Sequence, residues 1–128
     1  MSFLLDTHIL LWFLENDSKL SDRVREVITN PENLIFVSAI SAWEISIKQS
    51  LGKLIAPGNL EEALRFSQFE VLCMTLAYGI KVADLPLHHK DPFDRMLIAQ
   101  ALVEGLTIIT VDQKFKSYDV PLFSDDFG

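Results

Sequence analysis

Four carboxylates occupy positions where an acid is chemically suggestive. Asp6 closes the apolar run Phe3-Leu4-Leu5, and Asp112 follows the apolar run from Thr107 to Thr110. Glu44 and Asp94 fall early in two segments of helical period. Glu44 shares its helix face with Ile40, Trp43, Ile47 and Leu51, and a carboxylate in an apolar stripe is rarely there for packing, because burying an unpaired charge is costly. Asp94 shares a face with Leu97, Ile98 and Ala101. Each acid also has an ordinary explanation. Asp6 and Asp112 can cap the turns that follow them, Ser41-x-x-Glu44 matches a capping box, and Asp94 is favoured by the helix dipole.

Convergence is what raises these acids above their separate explanations. In an alternating strand–helix chain, strand-ending acids and acids early in the following helices gather at one edge of the sheet. Two like charges about 4 Å apart repel by about 4 kcal/mol at an effective dielectric of about 20. Either some of the acids hold protons, or a hard divalent cation neutralises them. All-oxygen ligation suits Mg²⁺ or Mn²⁺ and argues against zinc. His88 and His89 are adjacent rather than at ligand spacing and His8 stands alone, so all three read as loop or surface residues. Acids holding such an ion with open coordination positions imply phosphate chemistry. Nucleophilic catalysis finds no support: Cys73 falls in an apolar strand, where a thiol is inert, and no G-x-S-x-G or Walker-type sequence occurs.

The elements that must position these groups follow from period and punctuation. Strands are expected at Phe3–Leu5, Leu34–Val37, Val71–Met74 and Thr107–Thr110, with a small fifth at Leu122-Phe123. Helices are expected from His8 to Leu14, from Ser21 to about Thr29, from Ser38 or Ser41 to Gly52, from Asn59 to near Phe69 and from Leu76 to Ala83. Asp91-Pro92 reads as an N-cap with proline in the first turn of a helix that runs to Glu104, and Gly105 stops it. Asn30-Pro31 and Pro57-Gly58 read as breaks. Wholly apolar strands alternating with helices predict an α/β fold with a mostly parallel sheet covered on both faces.

Composition bounds the answer further. The 128 residues suit one domain, 1–128, and 49% hydrophobic against 23% charged residues excludes a disordered or low-complexity chain. The net charge of −7 excludes blanket electrostatic binding of nucleic acid, which requires a basic surface; transient action through metal ions and a local basic rim stays open. A mean hydropathy of +0.24 is high for so small a chain and predicts either a full core or apolar surface kept for a partner. The single cysteine asks for no oxidising compartment. The apolar run Ile9–Leu14 is far short of the roughly 20 residues that cross a bilayer. Asp6 and His8 spoil a signal-peptide reading, so a soluble cytoplasmic protein with no membrane contact is expected.

The segments FLLDTHILLW, VSAISAWEISIK, DPFDRMLIAQA and IITVD together resemble the PIN-domain nucleases, and more closely the toxin components of VapBC-type toxin–antitoxin pairs. The resemblance runs from the first strand almost to the last residue. It implies a three-layer α/β/α sandwich and a Mg²⁺- or Mn²⁺-dependent ribonuclease site. By that resemblance Asp6 and Asp94 are the principal metal ligands, Asp112 assists, Glu44 holds a water, and Thr7 and Thr110 support the acids. Asp91 is read as the helix N-cap. The resemblance further implies an RNA substrate, a homodimer and a small antitoxin received beside Leu11–Leu14 and Trp43–Leu51. Lys48, Lys53, Lys90 and Arg95 are the candidate contacts to RNA phosphates. Three alternatives remain: a PIN-type ribonuclease of RNA processing with no toxin role, a binding module whose acids are only caps, and a receiver-like signalling domain. The last needs paired acids after strand one and an Asp ending a central strand, and this sequence has neither.

Overall fold

The computed structural model describes residues 1–54 and 58–124. Five strands form one sheet: β1 (Ser2–Leu5), β2 (Leu34–Ser38), β3 (Glu70–Leu72), β4 (Thr107–Ile109) and β5 (Leu122–Phe123). Their order is β3-β2-β1-β4-β5, and every pairing is parallel. Among the described residues six α-helices accompany them: α1 (Thr7–Leu14), α2 (Asp22–Thr29), α3 (Ala39–Ser50), α4 (Leu60–Phe66), α5 (Leu76–Ala83) and α6 (Pro92–Glu104). A 3₁₀ turn, Gln113–Ser117, follows β4.

The two-residue period of the strands sorts the core into two layers. Phe3 and Leu5 of β1, Ile35 and Val37 of β2 and Ile109 of β4 pack with Ile9, Leu10, Val24, Ile28 and Leu64 from α1, α2 and α4. Leu4 and Ile108 point the other way, into Leu97, Ile98, Ala101, Phe115 and Tyr118. The α/β/α sandwich is therefore written in alternate residues of the same strands. Its strand order also differs from the 2-1-3-4-5 order of receiver-like folds.

The chain winds outward from β1 through β2 to β3, then returns to β4 on the other side of β1. That reversal leaves a crevice at the carboxyl ends of β1 and β4, where doubly wound folds bind their ligands.

Local capping follows the sequence closely. Ser21 accepts the Val24 N–H at 3.1 Å, Asn59 that of Glu62 at 3.0 Å, and Asp91 those of Phe93 and Asp94 at 2.8 and 3.1 Å. Gly105 takes φ +70°, a left-handed position that L side chains resist, and Leu106 N–H closes the helix end on Ala101 O at 2.9 Å.

Several expectations need correction. The cap of α3 is Ser38, bonded to Ile40 N–H, and Ser41 lies inside the helix, so the Ser41–Glu44 capping box does not form. The helix expected to end near Phe69 ends at Phe66, and β3 spans Glu70–Leu72 rather than Val71–Met74. Cys73 consequently lies outside the strand and is exposed. Pro57 of the Pro57-Gly58 break lies outside the described residues. Among the described residues, no helix is long and apolar enough to cross a membrane.

Candidate active site

Asp6 is the residue that follows β1, and its N–H extends the pairing with β4 through a bond to Ile109 O at 3.1 Å. Its carboxylate is buried. One oxygen accepts the Ile9 N–H at 2.8 Å and caps α1; the other accepts the Thr110 hydroxyl. Thr110 in turn takes the Asp112 N–H on its Oγ1 at 3.0 Å, so one threonine locks the two strand-end acids into register. Asp112 caps the 3₁₀ turn through the Lys114 N–H at 2.9 Å. The capping role expected of Asp6 and Asp112 is thus real. It coexists with their orientation toward the crevice.

Glu44 is 3% exposed. Its Oε1 accepts the Thr7 hydroxyl at 2.7 Å and its Oε2 meets Lys48 Nζ at 2.6 Å, one helical turn on. Ser41 Oγ lies in hydrogen-bonding contact with the same Thr7 oxygen at 3.1 Å, tying α3 to α1. A buried acid so satisfied is compatible with burial, since donors replace the lost water. Lys48 spends one of its three donors on this pair, and its side chain stays 38% exposed. The apolar stripe around Glu44 is only partly core: Ile40 is buried, whereas Trp43 and Leu51 are 58% and 63% exposed. Trp43 packs edge-on against Phe93 at 5.2 Å, joining the start of α3 to the start of α6 beside Glu44 and Asp94.

Asp94 sits in the first turn of α6, half-buried, with its Oδ2 at 2.8 Å from His89 Nε2. One potential ligand atom each from His89, Asp94 and Asp112 lies within 4.8 Å of the others. Asp6 stands outside this trio but close to it. Burial pushes the Asp6 carboxyl up to about 6; the hydrogen bonds from Thr110 and Ile9 oppose the rise, and the charges of Asp112 and Glu44 add to it. Asp94 also rises to about 6, chiefly by burial, against the His89 hydrogen bond and with the charges of Asp91 and Asp6. Burial leads in both cases, and the neighbouring carboxylates add to it: Asp112 and Glu44 act on Asp6, and Asp91 and Asp6 act on Asp94. A hard divalent ion fits this donor set: carboxylate oxygens predominate, they face one another, and their mutual repulsion is what such an ion relieves.

His89 is the residue that sequence reasoning missed. Its neighbour His88 turns away and packs edge-on against Tyr118 at 5.3 Å, while the His89 ring enters the acids. Spacing along the chain cannot separate two adjacent loop histidines. The signal available was the place of His89 two residues before the Asp91-Pro92 cap.

Arg95 is not a free cation for RNA. Its guanidinium donates to the carbonyls of Pro86, Val82 and Leu85 at 2.9, 3.1 and 3.4 Å and to the Tyr118 hydroxyl at 3.1 Å. Lys53 and Lys90 remain exposed. On the expected partner cleft, Leu11 is buried and Trp12, Phe13 and Leu14 pack against the core, so its exposed part is Trp43 and Leu51 on α3.

The family model described as PIN domain matches residues 3–121. Three solved structures share the fold across nearly the whole chain. VapBC2 from Rickettsia felis, bound to a DNA fragment from its promoter, superposes with a TM-score of 0.71 at 18% identity, covering 96% of this chain and 98% of that one. DNA-bound VapBC from Salmonella typhimurium gives 0.69 at 20% identity, with 96% and 97% covered. A toxin–antitoxin complex from Klebsiella pneumoniae gives 0.63 at 17% identity, with 94% and 95% covered. No curated protein sequence matches.

Proposed function

The chain belongs to the PIN domain family, and from that premise we propose that it is a divalent-metal-dependent endoribonuclease serving as the toxin of a toxin–antitoxin pair. The observation that supports the reading is that Asp94 and Asp112 offer ligand atoms within 4.8 Å of one another beside His89, while the charges of Asp112 and Glu44 reach buried Asp6 and that of Asp6 reaches Asp94.

In this reading Asp6, Asp94 and Asp112 hold Mg²⁺ or Mn²⁺, and Glu44, oriented by Thr7 and Lys48, holds the water that attacks the phosphodiester. The bound ion supplies Lewis acidity toward a phosphoryl oxygen and lowers the pKa of a coordinated water. The chain's own contribution is placement. Thr110 fixes Asp6 and Asp112 relative to each other, and the Trp43–Phe93 pair ties Glu44's helix to Asp94's. Exposed Lys53 and Lys90 form a basic rim for RNA phosphates.

The toxin role draws support from the fold shared with VapBC complexes and with a toxin–antitoxin complex. Exposed apolar side chains agree with it: Trp43 and Leu51 on α3 suit a small antitoxin, and Leu76 and Ile80 on α5 offer a second face to a homodimer. The decisive experiment incubates purified protein with single-stranded or looped RNA. Cleavage is expected with Mg²⁺ or Mn²⁺ and not in excess EDTA; full cleavage in EDTA overturns the metal reading. Expression alone is expected to arrest growth, relieved by a co-expressed partner. Harmless overexpression of an active enzyme would instead favour a nuclease of RNA processing.

A further inference from the structure

We infer that His89 Nε2 is a nitrogen donor to the metal centre, which makes the site a mixed oxygen–nitrogen one that selects Mn²⁺ over Mg²⁺. The inference rests on the divalent-metal reading above and adds a ligand that the acids alone do not supply.

The placement of the ring is the first argument. Its Nε2 lies 2.8 Å from Asp94 Oδ2, and the same trio brings an Asp112 oxygen within 4.8 Å. For metal–ligand bonds of about 2.0–2.2 Å, neighbouring ligands at right angles stand about 3 Å apart and opposite ones about 4 Å. The His89–Asp94 separation matches adjacent ligands of one shell, and the Asp112 oxygen lies near enough to join them with a small side-chain adjustment. The His89 and Asp94 side chains are only 10% and 17% exposed, so bulk water competes weakly for them.

How the ring is held is the second. The backbone N–H of His89 donates to the Tyr118 hydroxyl at 3.0 Å, and that hydroxyl also receives Arg95 Nη1 at 3.1 Å. Arg95 clamps the chain just upstream through the carbonyls of Val82, Leu85 and Pro86. A guanidinium spending its donors on three carbonyls and a phenol fixes the connection between α5 and α6 at both ends. Locking a loop this firmly behind one imidazole is the kind of support a ligand needs, since a ligand's worth depends on its orientation.

Chemistry supplies the consequence. Mg²⁺ prefers oxygen donors throughout, whereas imidazole favours first-row transition ions. Replacing one oxygen position by nitrogen thus lowers the standing of Mg²⁺ relative to Mn²⁺.

The test is metal binding by the full chain, read by titration calorimetry with Mn²⁺ and Mg²⁺ and by pulsed electron paramagnetic resonance of the Mn²⁺ complex. His89→Gln is the informative variant, because the Gln amide can still donate to Asp94 but offers no nitrogen lone pair. The wild type is expected to show nitrogen hyperfine coupling that His89→Gln lacks, with Mn²⁺ affinity falling by about tenfold or more and Mg²⁺ affinity by less than about threefold. Mn²⁺ binding without nitrogen coupling in the wild type, or coupling that persists in His89→Gln, overturns the inference and leaves the divalent-metal reading standing. A wild type that binds no Mn²⁺ overturns both. Absence of nitrogen coupling in the wild-type Mn²⁺ complex overturns the inference even if His89→Gln does not fold.

Discussion

Asp6 and Glu44 lie sealed at the sheet edge with all four of their carboxylate oxygens accepting hydrogen bonds: from Ile9 and Thr110 in one case, from Thr7 and Lys48 in the other. Asp94 and Asp112 share the outer rim, each with one oxygen engaged, and no donor among the described residues reaches Asp94 Oδ1 or Asp112 Oδ2. The inner half spends its donors on fixing geometry. The outer half keeps acceptor capacity for something that is not protein. A site that must be both rigid and open divides the two duties between pairs of the same residue type.

Removing charge from the outer half is the strongest way to break that division. Asp94→Asn keeps the shape and removes the charge a hard cation requires. Cleavage of RNA is expected to fall by about 10²–10³-fold, the scale lost when a preorganised electrostatic group is deleted. Stability of the protein in EDTA should hold or rise, because a repelling charge beside Asp6 and Asp91 has gone. An active but weakened Asp94→Asn protein would reduce Asp94 to a helix-dipole acid.

The buried half predicts an unusual pH profile. Asp6 rises from an ordinary 3.8 to about 6 in the folded protein. Between those values the native state holds a proton that the unfolded chain has lost. Stability therefore declines as pH rises from about 4 through 6, the reverse of a salt-bridged carboxylate. At about 1.4 kcal/mol per unit, Asp6 alone accounts for roughly 2–3 kcal/mol of that decline. Denaturant midpoints at about pH 4, 5, 6 and 7 in EDTA measure it, and Mn²⁺ should restore the loss at the upper end. A flat profile would mean that burial does not raise the Asp6 carboxyl as described.

Much of this arrangement was legible in the sequence, because much of it is local. A strand ending in Asp, an Asp91-Pro92 cap and a Gly105 stop are rules about neighbours in the chain, and each held. Failures came where a partner lies far along the chain. The spacing Ser41-x-x-Glu44 satisfies the capping rule, yet Thr7 claims both side chains from 34 and 37 residues away. Arg95 reads as a surface cation because nothing adjacent reveals the row of carbonyls it meets, whereas the Glu44–Lys48 pair has an i,i+4 spacing that the sequence does show. Helical period placed Trp43 and Leu51 on Glu44's face, but period cannot tell a core from a surface awaiting a partner.

Thr110 joins the two halves, and removing its hydroxyl sharpens the contrast between them. Thr110→Val keeps volume, deprives Asp6 of a donor and frees the Asp112 N–H. A buried acceptor left unsatisfied costs about 1–3 kcal/mol. The same change should push the Asp6 carboxyl higher still, since this hydrogen bond is the largest influence holding it down. Chemical denaturation and a carboxyl titration by nuclear magnetic resonance read the two effects separately. A stability loss without an upward move of Asp6 would assign Thr110 to packing alone.

The smallest expected effect comes from a polar group that does the opposite of the site's acids. Gln100 lies on α6, wholly buried, two turns from Asp94, and neither its Nε2 nor its Oε1 finds a partner among the described residues. Every acid in the crevice is compensated by a donor or a neighbour of use to it; Gln100 is compensated by nothing described. An amide in that position carries its desolvation cost without return. Gln100→Met, close in length and flexible enough to settle into the same space, removes that cost while preserving the packing. The denaturation midpoint is expected to rise by the equivalent of about 1 kcal/mol, the lower end of the cost of an unsatisfied buried group. RNA cleavage should be unchanged, because the acids do not touch this side chain. A destabilised Gln100→Met protein would show that the amide is anchored by a buried water or a second chain, and would place a polar contact in the core layer beneath the site.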